Sequence, residues 1–341
     1  MFNTRLKYLL ICLTGSCIIM LSLHLFSIWK QSQPNGFIRL FPSNKIIGKE
    51  YINLKLRSWY FAGVDSSSLY LGNWGRPGIL SRITSKAAEI SDFKISGYEN
   101  MGFYEGAYLR TEGTELFLLD GVKALVGKGS LKTSNLKKAE PVPYFTLGLP
   151  INYNNYILRT VKGMQSYLIA TANNKLSVPL KFDGQKEGIF SADGSLVKAP
   201  GANRIFYVYS YCNLFLALDT SLNVLYKAHT KDTISRVQIT VSKVASEHKI
   251  TMSAPPLVVN KQCAVNDEFL FINSGMKADN ETDKMHSSAA PIDVYNVSNG
   301  KYQFSFYLPN FDGKKLTDFR VYHQSLYALY DHYLYKYQLN F

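Results

Sequence analysis

Apolar and polar residues alternate in short runs along most of this chain, and one arrangement recurs six times. An apolar triplet sits in a strand-like run, and a small polar residue follows four or five positions after the triplet begins. The copies are Leu69-Tyr70-Leu71 with Asn73, Leu116-Phe117-Leu118 with Asp120, and Tyr167-Leu168-Ile169 with Thr171. Three more are Leu214-Phe215-Leu216 with Asp219, Phe269-Leu270-Phe271 with Asn273, and Leu326-Tyr327-Ala328 with Asp331. Successive copies are 47, 51, 47, 55 and 57 residues apart. A period near 50 in strand-rich sequence is the mark of a propeller blade. A miscount of eight to ten residues would give five or seven blades instead.

The runs around each triplet read as hairpins. In the last repeat, 318–322, 326–330 and 333–337 alternate as strands, with turns at His323-Gln324-Ser325 and Asp331-His332. In the fourth, 204–210, 214–218 and 223–227 do the same, and in the second, 106–110, 116–119 and 122–126. Asp120-Gly121 is a strong hairpin signal, and the polar residue after each triplet is expected to cap its turn with its own side chain. Gly129-Ser130 and Gly194-Ser195 read as hairpin turns, and 136–140 is too short for a helix. The last repeat lacks a fourth strand, so a segment near 49–56 is expected to close the ring and cover its edge.

The predicted fold is therefore all-β: a six-bladed propeller of four-stranded antiparallel blades over 41–341. The repeat resembles that of the six-bladed β-propeller superfamily, in the TolB-like and NHL-like sense found in exported bacterial proteins. The resemblance covers roughly residues 40–341 and implies architecture only. No tryptophan-aspartate signature closes the blades, unlike the seven-bladed intracellular type. Propellers in general bind at the channel mouth, and a fold does not transfer an activity.

The first 30 residues differ from the rest. Arg5 and Lys7 precede an apolar run over 8–29, long enough to cross ~30 Å of hydrocarbon as a helix. Cleaved signal peptides have a shorter apolar region and a small-residue exit site, whereas this run ends in Phe26-Ser27-Ile28-Trp29, an interfacial anchor. Thr14-Gly15-Ser16-Cys17 departs from a lipoprotein motif at Thr14, where an aliphatic residue belongs. The expectation is an uncleaved signal anchor over 1–30 and a polar linker over 31–40. The anchor would place the protein in the inner (cytoplasmic) membrane as a single-pass chain, its body facing the periplasm or the outside.

Charge changes the picture modestly. The 341 residues carry 38 Lys and Arg against 25 Asp and Glu, a net +13. A positive field favours anionic lipid, polyanions or acidic partners. Nucleic acid is not expected, since no recognition motif is present and the body is read as exported. Tyr and Phe number 24 and 20, a composition suited to half-buried sheet surfaces. Cys12 and Cys17 lie in the apolar run. Cys212 and Cys263 stand at different offsets from their triplets, which favours buried free thiols over a disulfide.

The candidate chemistry is a set of cations. Arg110 and Arg320 each stand six residues before a triplet, at the innermost-strand position of blades 2 and 6. Arg159 and Lys261 each stand eight before theirs, in blades 3 and 5. A ring of such groups around a channel suits carboxylate or phosphate ligands. The 277–286 insertion holds three acids, an amide and a histidine, but in no known Ca²⁺-loop spacing, and reads as a mobile polar loop open to partner contact. No His pair has zinc spacing and no Gly-x-Ser-x-Gly elbow occurs, so no cofactor, metal or catalytic residue is expected. Asn280 and Asn296 begin glycosylation sequons, which matter only in a glycosylating host. The favoured reading is a non-catalytic binding or scaffold module for an envelope protein partner. The competing one is a propeller-type hydrolase, lyase or oxidoreductase acting on an anionic small molecule in the channel.

Overall fold

The computed structural model describes residues 4–31, 34–84, 90–172, 175–183, 185, 188–201, 203–244 and 249–341. Ser32 and Gln33 of the expected linker, and His248, lie outside them. The apolar run forms one helix, Thr4–Gln31. Its Lys7–Phe26 portion is 20 residues long, enough to span a bilayer core, and none of it is buried against the rest of the chain. The hydroxyls of Thr14, Ser16 and Ser22 bond back to the carbonyls of Leu10, Cys12 and Ile18 at 2.8–2.9 Å, which hides polar groups inside the apolar stretch.

Six antiparallel sheets follow, arranged as the blades of a propeller. Blade 1 is Trp59–Val64, Ser68–Asn73, Ile79–Thr84 and Ile90–Lys94. Blade 2 is Tyr108–Glu112, Glu115–Asp120, Leu125–Ser130 and Asn135–Pro141. Blade 3 is Phe145–Asn152, Asn155–Lys162 and Gln165–Ala172, with an outer edge reduced to Lys175–Leu176 and Leu180–Lys181. Blade 4 is Gly194–Lys198, Ile205–Tyr209, Leu214–Leu218 and Val224–His229. A hairpin, Val241–Val244 with Lys249–Met252, precedes blade 5. Blade 5 is Asn260–Val265, Phe269–Ser274, Ala289–Asn296 and Tyr302–Pro309. Blade 6 is Asp318–Tyr322, Ser325–Tyr330 and Tyr333–Leu339, completed by the N-terminal strand Ile46–Asn53. That strand pairs from Ile46 opposite Leu339 to Asn53 opposite Tyr333, three residues earlier than expected, and it closes the ring.

The apolar triplets mark positions buried on both faces. Side chains alternate across a strand, so each blade offers one apolar face to each neighbour. Leu69 and Leu71 pack with Trp59 and Phe61 against Leu329 and Leu334 of blade 6. Tyr70, between them, points the other way and joins Tyr60 and Leu80 against Leu109, Leu116 and Leu118 of blade 2. The same division recurs at every junction. Phe117 and Leu119 meet Tyr156 and Leu158, and Leu168 and Ile157 meet Tyr207 and Leu216. Phe206 and Phe215 meet Cys263 and Leu270, and Phe271 and Ile292 meet Phe319 and Leu326. Full burial of each such side chain contributes about 1.5–3 kcal/mol.

The triplets do not always mark the same strand. They lie on the second strand in blades 1, 2, 5 and 6, and on the third in blades 3 and 4. Both positions are buried on two faces, so the pattern cannot separate them. Gly129-Ser130 and Gly194-Ser195 lie within strands rather than turns, and 136–140 lies on an outer strand. The turn after Asp120 runs to Leu125 rather than being a two-residue Asp-Gly turn. Asp120 still caps it, accepting from the Lys123 amide at 2.8 Å. Gly121 is required there, since a Cβ would stand 2.0 Å from the Phe145 carbonyl oxygen.

The segment expected to be a linker is, from Asn35 onward, strapped to blade 5. Phe37 packs with Val259, Met276 and Ala278. Arg39 is buried and reaches Asp293 through Nε at 2.7 Å and Nη2 at 3.1 Å, Glu281 through Nη1 at 2.6 Å, and the Met276 carbonyl at 3.0 Å. Burial alone would depress this guanidinium; Asp293 and then Glu281 more than offset it, and its pKa lies above the ordinary arginine value. The 277–286 insertion is the other half of this latch rather than a mobile loop. Asn280 bonds the Arg39 backbone on both sides at 3.0 and 2.8 Å, and Asp279 accepts the amides of Asn35 and Gly36 at 2.6 and 3.0 Å. Cys212 and Cys263 are free, buried thiols in separate clusters.

Candidate functional site at the channel mouth

The first strand of every blade lines the centre of the ring. Where these strands end and turn back, they surround an open cavity of about 310 Å³. Its wall carries Phe61 of blade 1, Arg110 and Glu112 of blade 2, Leu149 of blade 3, Lys198 of blade 4, Val265 of blade 5 and Arg320 of blade 6.

Blade 1 shapes this mouth locally. Its inner strand has a bulge between Phe61 and Gly63, which leaves Ala62 out of the ladder and re-aims the backbone. Gly63 then passes so close to blade 2 that a Cβ would lie 1.9 Å from Thr111 Oγ1. The Phe61 carbonyl accepts a hydrogen bond from Arg110 Nη1. Arg110 is part-buried between aromatic faces, its guanidinium carbon 5.2 Å from the Tyr108 ring centre and 5.8 Å from that of Tyr60. The Tyr60 hydroxyl accepts a hydrogen bond from the Leu109 amide at 2.8 Å, and burial pushes its pKa up to about 12. Arg320 approaches Phe61 from blade 6, 5.8 Å from the ring centre. Its Nη1 donates to Asp318 Oδ1 at 3.3 Å and to the Phe319 carbonyl at 3.0 Å.

The four cations expected around the channel divide. Arg110 and Arg320 are brought together on either side of Phe61. Arg159 is on the second strand of blade 3, buried, where it pairs with Asp193 and donates to the Ile189 carbonyl at 3.3 Å. Its eight-residue offset counts from a triplet on the third strand, and so lands one strand outward. Lys261 is on the inner strand of blade 5 but at its beginning, inside a bulge between Asn260 and Gln262. It does not line the cavity at the strands' far ends; burial and the Lys315 charge lower its pKa.

Lys198 is a cavity residue that sequence reasoning missed. It ends the inner strand of blade 4, pairs with Glu112 and donates to the Ile151 carbonyl at 3.1 Å. The signal was present in the alternating Gly194–Lys198 run, but taking Gly194-Ser195 for a turn concealed it. Asp65 also borders the cavity. Its Oδ1 accepts the amides of Ser67 and Ser68 at 2.8 Å and the Ser67 hydroxyl at 2.9 Å, so it is committed to its own turn.

No family model matches the chain, and no curated protein matches it. Solved structures do resemble it. One is described as a member of the DUF4221 family from Bacteroides vulgatus: TM-score 0.57 at 10% identity, covering 88% of this chain and 99% of that one. Another is described as a putative exported protein from Bacteroides fragilis: TM-score 0.53 at 10% identity, covering 90% of this chain and 95% of that one. At such identities the likeness concerns the fold. The protein is a six-bladed β-propeller with four-stranded antiparallel blades, preceded by one apolar helix long enough to span a membrane.

Proposed function

We propose that this chain is a membrane-held, extracytoplasmic binding module. A single-pass anchor sits in the cytoplasmic membrane, and the propeller, over 41–341, stands on the periplasmic or outer side and offers its channel mouth to an envelope protein. The observation that carries this reading is the pairing of an uncovered apolar helix with a latch. Residues Lys7–Phe26 bury nothing against the chain, while Arg39, eight residues after the helix ends at Gln31, is fixed inside blade 5. Whatever holds the helix therefore holds the propeller on a short tether. Arg5 and Lys7 precede the span, which favours a cytoplasmic N-terminus. The likeness to an exported protein agrees with that side.

The test is photo-crosslinking in intact cells, with the reactive group at Gly113 or Pro200 of the channel mouth, and at Lys123, in a turn at the other end of the blade 2 strands. A discrete envelope protein joined to the first two positions and not the third supports the reading. Equal adducts from both faces, no adduct at the mouth, or release of the protein from membranes by alkaline extraction overturns it.

A further inference from the structure

Four charge clusters lie near the channel or border the blades, and they differ in whether their valences are met. Lys198 is paired with Glu112, and Arg159 with Asp193. A second cavity, about 250 Å³ between blades 6 and 1, has Glu50 and Lys336 facing each other at 3.5 Å across its rim. Arg110 is the exception. Among the described residues no carboxylate lies within 4.0 Å of it, and its polar contact is the Phe61 carbonyl. Its neighbours are two tyrosine rings and a second cation, Arg320. Arg320 in turn has one carboxylate, Asp318, met by a single nitrogen at 3.3 Å. Burial, first, and the Arg320 charge lower the pKa of Arg110; Tyr108, Tyr60 and the more distant Asp318 act the other way without offsetting them. A part-buried guanidinium with no carboxylate in direct contact is costly unless something completes it.

We infer that Arg110 and Arg320 form the binding site for a small molecule carrying a carboxylate or phosphate group, seated in the channel mouth over Phe61. This rests on reading the channel mouth as the binding face. Two planar forks that converge from blades 2 and 6 suit the paired oxygens of such a group. The cavity, about 310 Å³, is at the lower end of the range for small-ligand sites. Leu149, Pro150 and Val265 supply an apolar wall for the ligand's carbon skeleton. Lys198 stays bound to Glu112, so the open positive charge comes from Arg110 and from the nitrogens of Arg320 that Asp318 does not engage.

The test is titration calorimetry of the detergent-solubilised full chain with citrate and, separately, inorganic phosphate, at constant ionic strength. Wild type is compared with Arg110→Gln, Arg320→Gln and Lys132→Gln, the last an exposed turn residue of blade 2. Saturable binding to wild type and Lys132→Gln, weakened about tenfold or more in either arginine variant, supports the site. Citrate alone binding would make the group a carboxylate, and phosphate alone a phosphate. Equal heats in all four proteins mean attraction to the net positive surface and overturn the site, as does no saturable heat with either probe. If Arg110→Gln fails to fold, Arg320→Gln decides. Loss of anion binding leaves the crosslinking pattern of the channel mouth untouched, so the two readings fail separately.

Discussion

Arg39 and Arg110 carry the same guanidinium, and both lie inside the propeller, yet their surroundings differ in kind. Around Arg39, Asp293 and Glu281 supply two carboxylates, the Met276 carbonyl completes the set, and Ser305 and Tyr307 bond the carboxylates from outside. In contact with Arg110 are one carbonyl and two rings, with Arg320 nearby and the nearest influential carboxylate, Asp318, paired to Arg320 instead. The first arrangement is closed, and nothing further is needed to hold charge there. The second is open toward a cavity. Burial of a charge is therefore no guide by itself to purpose; the count of its partners separates a structural clasp from a place where a ligand completes the set.

The largest expected effect breaks the clasp. Arg39→Met leaves Asp293 and Glu281 facing each other without a cation, and should lower stability by about 3–5 kcal/mol in denaturant unfolding. The triple variant Arg39→Met, Glu281→Gln, Asp293→Asn should recover most of that loss, since no uncompensated charge remains. A triple variant as unstable as the single would show that the strap holds by shape and not by charge.

By contrast, Arg110→Gln in ligand-free protein should stay within about 1 kcal/mol of wild type. The lost carbonyl bond and cation–π contacts are offset by removing a desolvated charge. A loss of several kcal/mol would place Arg110 with Arg39 as a structural group and remove the distinction.

Much of the fold was legible because strand alternation is a local signal, and six similar repeats averaged out its errors. The triplets gave the right number of blades even where Tyr167 and Leu214 lie on third rather than second strands. A site built from six strand ends is less forgiving. One strand of misregistration turned Arg159 from a partner of Asp193 into a channel cation, and hid Lys198. Arg110 and Arg320 do fall on inner strands at the cavity, because their triplets mark second strands. The latch was invisible for another reason: Arg39 and Asp293 are 254 residues apart. No local pattern shows that a polar loop and a polar linker will neutralise each other. The loop read as mobile and polar, yet its Glu281 joins Asp293 of blade 5 in holding an arginine of the same chain.

Cys212 and Cys263 extend the contrast to groups that avoid charge altogether. Burial pushes their thiols up to about 11 and about 12. In a Cys12→Ser, Cys17→Ser background, neither should react with a thiol reagent at pH 8 until the protein is unfolded. The sign for stability follows. Unfolded thiols ionise near 9.0 while the folded ones stay protonated, so stability falls as pH rises above that point. Fast labelling of folded protein would show that a junction opens, blades 3–4 if the reacting thiol is Cys212 and blades 4–5 if it is Cys263.

The smallest effect tests how full the clasp is. His286 Nδ1 lies 4.0 Å from Glu281 Oε2. Burial lowers its pKa below the ordinary 6.5; Glu281 pulls it back up, while Lys261, Arg39 and Lys277 add to the lowering. The folded state thus prefers neutral His286. As pH falls below 6.5 the unfolded chain takes up the proton first, so stability declines until the lower folded value is passed, and is level beyond it. Denaturant midpoints at pH 7.5 and 5.5 should drop further for wild type than for His286→Gln. If the two proteins instead drop in parallel, His286 does not feel the cations around Glu281. If wild type drops less, Glu281 still has charge to share, and the clasp is not closed by Arg39 alone.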